Sequence, residues 1–187
     1  MSSKRNMIGA VAVGAIVVVL TGVGADAPSQ SVDAGGLTFQ APAAWKSSRP
    51  SNAMRRAQLK IDPVKGDEEA AELVVTALSG GAGGLEANIK RWQAWFKDAN
   101  GETAKIETKK VKGKNVDVTR LEAAGRYVAP VFPGSPDVND KPNYRLLGAM
   151  VQAGGTSYFL RLIGPDKTVI AARPAFDEAI ASMKAAD

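Results

Sequence analysis

A glycine-rich segment, SGGAGG at positions 79–84, lies where a β-rich run of the sequence changes into an amphipathic one. A strand, a glycine-rich loop and a helix in this order build phosphate-binding loops. The P-loop pattern also needs Lys followed by Ser or Thr, whereas Leu and Glu follow the last glycine here. The dinucleotide pattern G-x-G-x-x-G fits Gly81 and Gly83 but has Glu86 at its last position. We therefore predict a flexible connection with positive φ angles, and an anion or polar-ligand loop using backbone N–H groups as the alternative.

The composition excludes most catalytic chemistry. The chain contains no histidine and no cysteine, which removes thiol nucleophiles, disulfides, thiolate metal sites and every Ser-His-Asp triad. An enzyme would have to work with Asp, Glu, Lys, Tyr, Ser and Thr alone. We expect a protein that is not an enzyme. The alternative is a histidine-free hydrolase whose buried carboxyl group has a raised pKa.

Two acidic segments are candidates for calcium, but neither has a complete ligand pattern. The first consists of Asp67, Glu68, Glu69 and Glu72, and adjacent carboxylates in a predicted turn are usually solvated. The segment 137–140 is followed by Lys141 and Pro142, where a calcium loop needs a ligand and a glycine. We expect no metal site and no cofactor. A lysine-rich hairpin, residues 105–114, is interpreted as a protected sheet edge, with a basic patch for anionic lipid or an acidic partner as the alternative.

Aromatic residues and two loops supply the predicted binding surface. Trp92 belongs to the apolar stripe of the predicted helix, while Trp95 lies at the margin of that stripe. Tyr127 and Tyr144 flank a Pro-rich loop and either form a ligand surface or close the base of the loop by ordinary packing. We predict a surface that combines the loops 80–84 and 130–142. Its residues are Gly81, Gly83, Gly84, Trp95, Tyr127 and Tyr144.

The N-terminus has the pattern of a secretory signal. Lys4 and Arg5 precede an apolar run, and small residues follow at the spacing of a cleavage site. We predict a signal peptide at 1–25, with an uncleaved membrane anchor as the alternative, and a polar linker at 26–35. Loss of residues 1–25 lowers the formal charge from +5 to +3, because only Lys4 and Arg5 are charged there. We expect no nucleic-acid partner, and membrane contact only through this segment if it is retained.

The order of the predicted elements indicates an α+β fold. Strands are predicted near 37–40, 53–61 and 72–80, and a helix from Leu85 to Phe96 follows the glycine-rich segment. Two hairpins then precede a C-terminal helix in which Pro174 begins a second segment. Strands, helix, strands and helix in this order favour an antiparallel sheet with helices packed on it. We expect residues 36–187 to form one domain.

The segment GLTFQAPAAW (36–45) resembles the opening Gly-x-x-Phe-x-x-Pro-x-x-Trp of PsbP-like proteins, the family of the photosystem II extrinsic subunit. The closing part is also similar: Tyr144 begins a strand, AMVQAGGTSYFLRL forms a hairpin, and Pro165 precedes a terminal helix. The resemblance covers residues 36–184 and implies a three-layer α/β/α sandwich around a mainly antiparallel sheet. The chain is also similar to uncharacterised exported bacterial proteins that have a glycine-rich loop before EANIKRW.

The family resemblance implies a non-enzymatic accessory or binding protein, and it transfers no functional residue to this chain. Together with the signal pattern it predicts an exported, periplasmic or extracellular protein that binds another protein of the cell envelope. A small-ligand or anion-binding protein and a carboxylate-based hydrolase remain the two alternatives.

Overall fold

The computed structural model of the 187-residue chain describes residues 28–50, 52–80, 83–132 and 134–186. The predicted signal segment 1–25 and Gly81 lie outside these residues. The described helices are α1 Gly84–Gln93 and α2 Asp166–Ser182. The described strands are β1 Ser29–Asp33, β2 Leu37–Pro42, β3 Lys46–Ser47, β4 Arg55–Ile61, β5 Ala71–Ser79, β6 Phe96–Lys97, β7 Glu107–Lys112, β8 Asp117–Tyr127, β9 Lys141–Ala153, β10 Thr156–Pro165 and β11 Lys184–Ala185.

The main sheet has eight strands in the order β3-β4-β5-β10-β9-β8-β6, and β7 also pairs with β8. Each of these pairings is antiparallel. A small second sheet has the order β1-β2-β11. The structure therefore confirms the predicted α+β class and its mainly antiparallel sheet.

The main sheet buries apolar side chains on both faces. Along β10, Tyr158 and Leu160 point to the face covered by α2 and the small sheet, where they pack with Phe39 and Phe176. Phe159 points to the opposite face and packs with the helix α1. This alternation follows from the two-residue period of a strand. It produces three layers, with the sheet between α2 and α1.

The N-terminal segment differs from the prediction of a linker at 26–35. Residues Ser29–Asp33 form β1, which pairs with β2 from Ser29 opposite Pro42 to Asp33 opposite Thr38. Val32 is buried in the core. The sequence of β1 is polar and shows no apolar alternation, so the strand was not predicted. An edge strand with one buried side chain needs few apolar residues.

Both helices differ from their predicted extents. The helix α1 ends at Gln93 instead of reaching Phe96, which is buried in β6 opposite Tyr127. The helix α2 is continuous, and Pro174 lies inside it rather than at the start of a second segment. Pro174 is exposed, so water can bond the carbonyl that loses its intrahelical donor.

No helix in the described part of the chain is long and apolar enough to cross a membrane.

The absence of a side chain at Gly148 lets α1 lie directly on β9. A Cβ atom placed on Gly148 would lie 2.7 Å from Cζ3 of Trp92, closer than van der Waals contact allows. Trp92 is fully buried and belongs to the core cluster on this face of the sheet. The indole of Trp92 therefore occupies the space above Gly148, and this contact fixes the position of α1.

We expect Gly148→Ala to destabilise the fold by about 1–3 kcal/mol, because the new methyl group overpacks the site against Trp92. Urea unfolding measures this cost. The same substitution made in a Trp92→Leu background is the control, since a smaller side chain leaves room for the methyl group. Equal costs in the two backgrounds would show that the Trp92 contact is not what requires glycine at 148.

Candidate functional site

The predicted site residues lie at two opposite ends of the main sheet. Gly83 and Gly84 begin α1 with φ angles of 83° and 80°, beside the end of β5, where Ser79 pairs with Thr156. The Pro-rich loop joins β8 to β9 at the other end of the sheet. The strand β9 between these ends has thirteen residues and is roughly 40 Å long, and the helix α1, about 15 Å long, separates Gly84 from the segment that holds Trp95. The prediction of one surface that combines the loops 80–84 and 130–142 is therefore wrong, because the strand register places them apart.

Trp95, Tyr127 and Tyr144 do come together. The rings of Tyr127 and Tyr144 stack with centroids 6.0 Å apart, and Phe96 contacts Tyr127 at 5.3 Å. Trp92 and Trp95 stack at 6.1 Å. The backbone ties these groups together, since the Val128 N–H donates to the Trp95 carbonyl at 2.7 Å. We call this group the aromatic surface: Trp92, Trp95, Phe96, Tyr127 and Tyr144.

Arg161 lies on the aromatic surface. Its guanidinium carbon is 5.9 Å from the ring centroid of Trp92 and 5.3 Å from that of Trp95. The alternation of β10 directs this side chain to the α1 face, together with Phe159 and Ile163. Its neighbours on β9 and β5 are Gly148 and Val74. The missing side chain at Gly148 admits the Trp92 indole beneath the guanidinium.

The Arg161 guanidinium has no ion pair and no hydrogen bond with any residue that the structure describes. The other half-buried arginines of the main sheet differ, because Arg120 and Arg145 both bond Glu122 on the α2 face and Arg55 pairs with Glu72. Burial lowers the pKa of Arg161, and the charges of Arg55 and Arg91 lower it further, while Tyr127 and Glu72 partly oppose this shift. The indoles compensate part of the cost of burial through cation–π attraction. The five N–H donors of Arg161 remain open to an anion.

The tyrosines at the base of the Pro-rich loop have distinct surroundings. The Tyr144 hydroxyl donates to Glu69 Oε2 at 2.6 Å, and Lys141 Nζ donates to Oε1 of the same carboxylate at 2.6 Å. Burial and then the bond to Glu69 raise the pKa of Tyr144 above its usual range. Burial also raises the pKa of Tyr127. The Tyr127 hydroxyl bonds to none of the described residues, so it offers a second donor beside Arg161.

The Pro-rich loop exposes apolar side chains next to the aromatic surface. Val131, Phe132 and Val138 are 59%, 60% and 54% exposed. A bridge between Pro130 and Val138 and a bond from Asn139 N to the Ala129 carbonyl close the loop on itself. The three apolar side chains therefore project from a short closed structure, rather than folding onto the core.

Sequence reasoning missed Arg161, although the sequence holds a signal for it. The run Tyr158–Ile163 is apolar at every position except 161. A single charge inside a strand that is buried on both faces is unusual, because burial of an unpaired charge is costly. The identity of its neighbours, Trp92 and Trp95, depends on the packing of α1 and could not be read from the strand itself.

Tyr127 and Tyr144 should ionise late in an alkaline titration of the folded protein. Burial favours the neutral phenol, so both groups have a folded pKa above that of the unfolded chain, which is about 10. Their contribution to stability is complete below pH ~10 and is lost as the pH rises towards the folded pKa. Absorbance at 295 nm should show late phenolate formation that disappears in the variant Tyr127→Phe/Tyr144→Phe. Ionisation of both groups at the pH found in urea would contradict this description.

No family model and no curated protein sequence matches the chain. The solution structure of cyanobacterial PsbP from Synechocystis sp. PCC 6803 is similar, with 17% identity and a TM-score of 0.53, over 88% of this chain and 96% of that chain. The crystal structure of a protein of unknown function from Pseudomonas aeruginosa is also similar, with 9% identity and a TM-score of 0.51, over 85% and 98%. The expectation raised by the opening and closing segments is thus confirmed for the backbone arrangement, and the chain has the PsbP-like fold.

Proposed function

We propose that the protein is an exported, non-enzymatic accessory protein that binds a partner protein of the cell envelope. The partner docks on the aromatic surface, and one of its carboxylates pairs with Arg161. The signal pattern at 1–25 supports export, and the PsbP-like fold is compatible with a binding role. The observation that carries the proposal is Arg161, an arginine without a counter-ion, stacked on two indoles.

The chemistry of Arg161 fits recognition of a carboxylate. A guanidinium binds a carboxylate through two parallel hydrogen bonds, and these bonds are stronger where water is excluded. Trp92 and Trp95 hold the guanidinium from one side, so its N–H edge is presented in a fixed orientation. Arg, Trp and Tyr are also the residue types that dominate the binding energy of protein interfaces. The aromatic surface combines all three.

The Pro-rich loop adds an apolar contact beside this centre. Phe132 and its neighbours Val131 and Val138 make up three of the five large apolar side chains that are exposed in the described part of the chain. Their concentration in one loop is typical of a surface that another protein covers. A partner that spans both regions would bury these side chains and shield the arginine–carboxylate pair from water.

The hydrolase alternative receives less support from the described carboxyl groups. Three carboxyl groups have a pKa below the usual range because each accepts a hydrogen bond from a cation. The pairs are Asp62 with Lys46, Glu69 with Lys141, and Asp140 with Arg126. A carboxyl group that acts as a general acid needs a raised pKa, which comes from burial without a cationic partner. The proposal of binding therefore takes precedence over hydrolysis.

Substitution of Arg161 should remove partner binding. We expect the tagged full chain to capture one stoichiometric protein from solubilised envelope, and Arg161→Gln to weaken that complex by about 30-fold or more, the effect of losing a hot-spot residue. Titration of the purified pair by calorimetry measures the loss. Arg49→Gln is the matched control, because it removes the same charge from an exposed loop position. A partner that binds the Arg161→Gln variant as tightly as the parent chain would overturn the proposal.

Arg161 should contribute little to the stability of the isolated chain. We expect Arg161→Met to leave the free energy of unfolding unchanged or to raise it by up to about 1 kcal/mol, because no counter-ion is orphaned. Arg145→Met should lower it by about 1–2 kcal/mol, because Glu122 and Asp166 each lose a partner while Glu122 keeps Arg120 and Arg173. Urea unfolding of the two variants tests this contrast. A large loss for Arg161→Met would mean that Arg161 serves the fold.

A further inference from the structure

A second site lies beneath the start of α1, where a cavity of about 330 Å³ opens between the helix and the main sheet. Its residues come from α1, β7, β8, β9 and β10, and none of them belongs to the aromatic surface. We infer that this cavity binds a small organic anion, a carboxylate that carries a short apolar chain. The inference goes beyond the proposed partner binding and does not depend on it.

The floor of the cavity is apolar. Met150 and Phe159 line it from β9 and β10, and Leu85 lines it from the first turn of α1. Met150 and Phe159 are buried from solvent. The volume is at the low end of the range for ligand pockets, about 300–1,000 Å³. The floor therefore suits a short apolar chain and not a nucleotide or a long lipid.

A buried hydroxyl without a partner faces this cavity. Ser157 is 4% exposed and lines the cavity, and its hydroxyl bonds to none of the residues within the described ranges. The alternation of β10 directs Ser157 to the α1 face, as it does Phe159. Among the described residues, the one fully enclosed side-chain polar atom without a partner is Arg173 Nε, so the Ser157 hydroxyl is accessible from the cavity and can bond a ligand there. This hydroxyl indicates a polar ligand group next to the apolar floor.

The positive end of the cavity has two contributors. Lys110 lines it and donates from Nζ to Thr119 Oγ1 at 2.9 Å, which leaves other N–H donors of the ammonium group open. The helix α1 starts at the same cavity, and its N-cap Gly83 supplies no side-chain bond to the first turn. The N–H groups of that turn carry a partial positive charge. Both features favour a carboxylate.

Two carboxylates near the cavity weaken its positive field without removing it. Asp117 lines the cavity but forms an ion pair with Lys112. Glu86 lies in the first turn of α1 but is exposed and does not line the cavity. Lys110 has no ion pair among the described residues. The charged residues of the lining are Lys110 and Asp117, and of these two only Lys110 is without an ion pair, which favours an anion over a cation.

The test uses hexanoate as the anionic probe and 1-hexanol as the neutral probe with the same chain. The ¹⁵N-labelled full chain is titrated with each, and the backbone amide signals are followed by NMR. We expect hexanoate to give saturable shifts at Leu85 and Ser157, with hexanol about tenfold or more weaker, the effect of losing one charge-assisted bond. Weak binding to the apolar floor alone would give equal affinities for the two probes and would overturn the inference.

Matched variants locate the probe within the cavity. Lys110→Gln should weaken hexanoate binding about tenfold, and Ser157→Ala about threefold, since neutral hydrogen bonds contribute less than charged ones. Lys109→Gln is the control, because Lys109 is the neighbouring lysine of β7 and points to the opposite face of the sheet. Arg161→Gln should leave hexanoate binding unchanged, so the two proposed sites can fail independently. Equal loss in Lys109→Gln and Lys110→Gln, or no saturation below about 10 mM, would refute the assigned site.

Discussion

The rest of the structure depends on one constraint: both faces of the main sheet are apolar and must be buried, but one face has much less helix packed against it. The α2 face is buried by seventeen helical residues and the small sheet, whereas the other face has only the ten residues of α1. A ten-residue helix is about 15 Å long, less than half the length of β9. Gly148 lets Trp92 pack directly on β9, and this contact holds the short helix on the sheet. The remaining area has to be closed by side chains of the sheet and of the segments after α1.

Aromatic rings close that area, and this explains the position of both candidate sites. Beyond the C-terminal end of α1, Trp95, Tyr127 and Tyr144 cover the sheet and create the surface on which Arg161 lies. At the N-terminal end, the sheet is left with a cavity instead. Phe159 lines this cavity and meets Trp92 edge to face at 6.1 Å. The Trp92–Phe159 contact therefore separates the two sites, so each can bind a ligand without occupying the space of the other.

The sequence predicted the elements that depend on local pattern. The alternation at Ala57, Leu59 and Ile61 and the apolar run before Gly80 correctly indicated strands, and the hairpin at Gly154-Gly155 was found. Features that depend on distant residues were missed. The strand β1 has little apolar signal of its own and exists because β2 pairs with it. The prediction that the loops 80–84 and 130–142 form one surface failed for the same reason, since only the strand register shows that the two loops lie at opposite ends of the sheet.

Fold and function have separate sources in this chain. The PsbP-like backbone is retained at 17% identity and below, so it follows from the placement of apolar residues and glycines, which many sequences can supply. We expect Arg161 to serve no such purpose, because an apolar residue at that position would suit a strand that is buried on both faces. Trp92 and Trp95 stack against the charge, Tyr127 and Glu72 also favour it, and the indoles leave its hydrogen-bond donors unused. A residue that the fold does not need, kept at a cost and presented with free donors, is where a binding function is best sought.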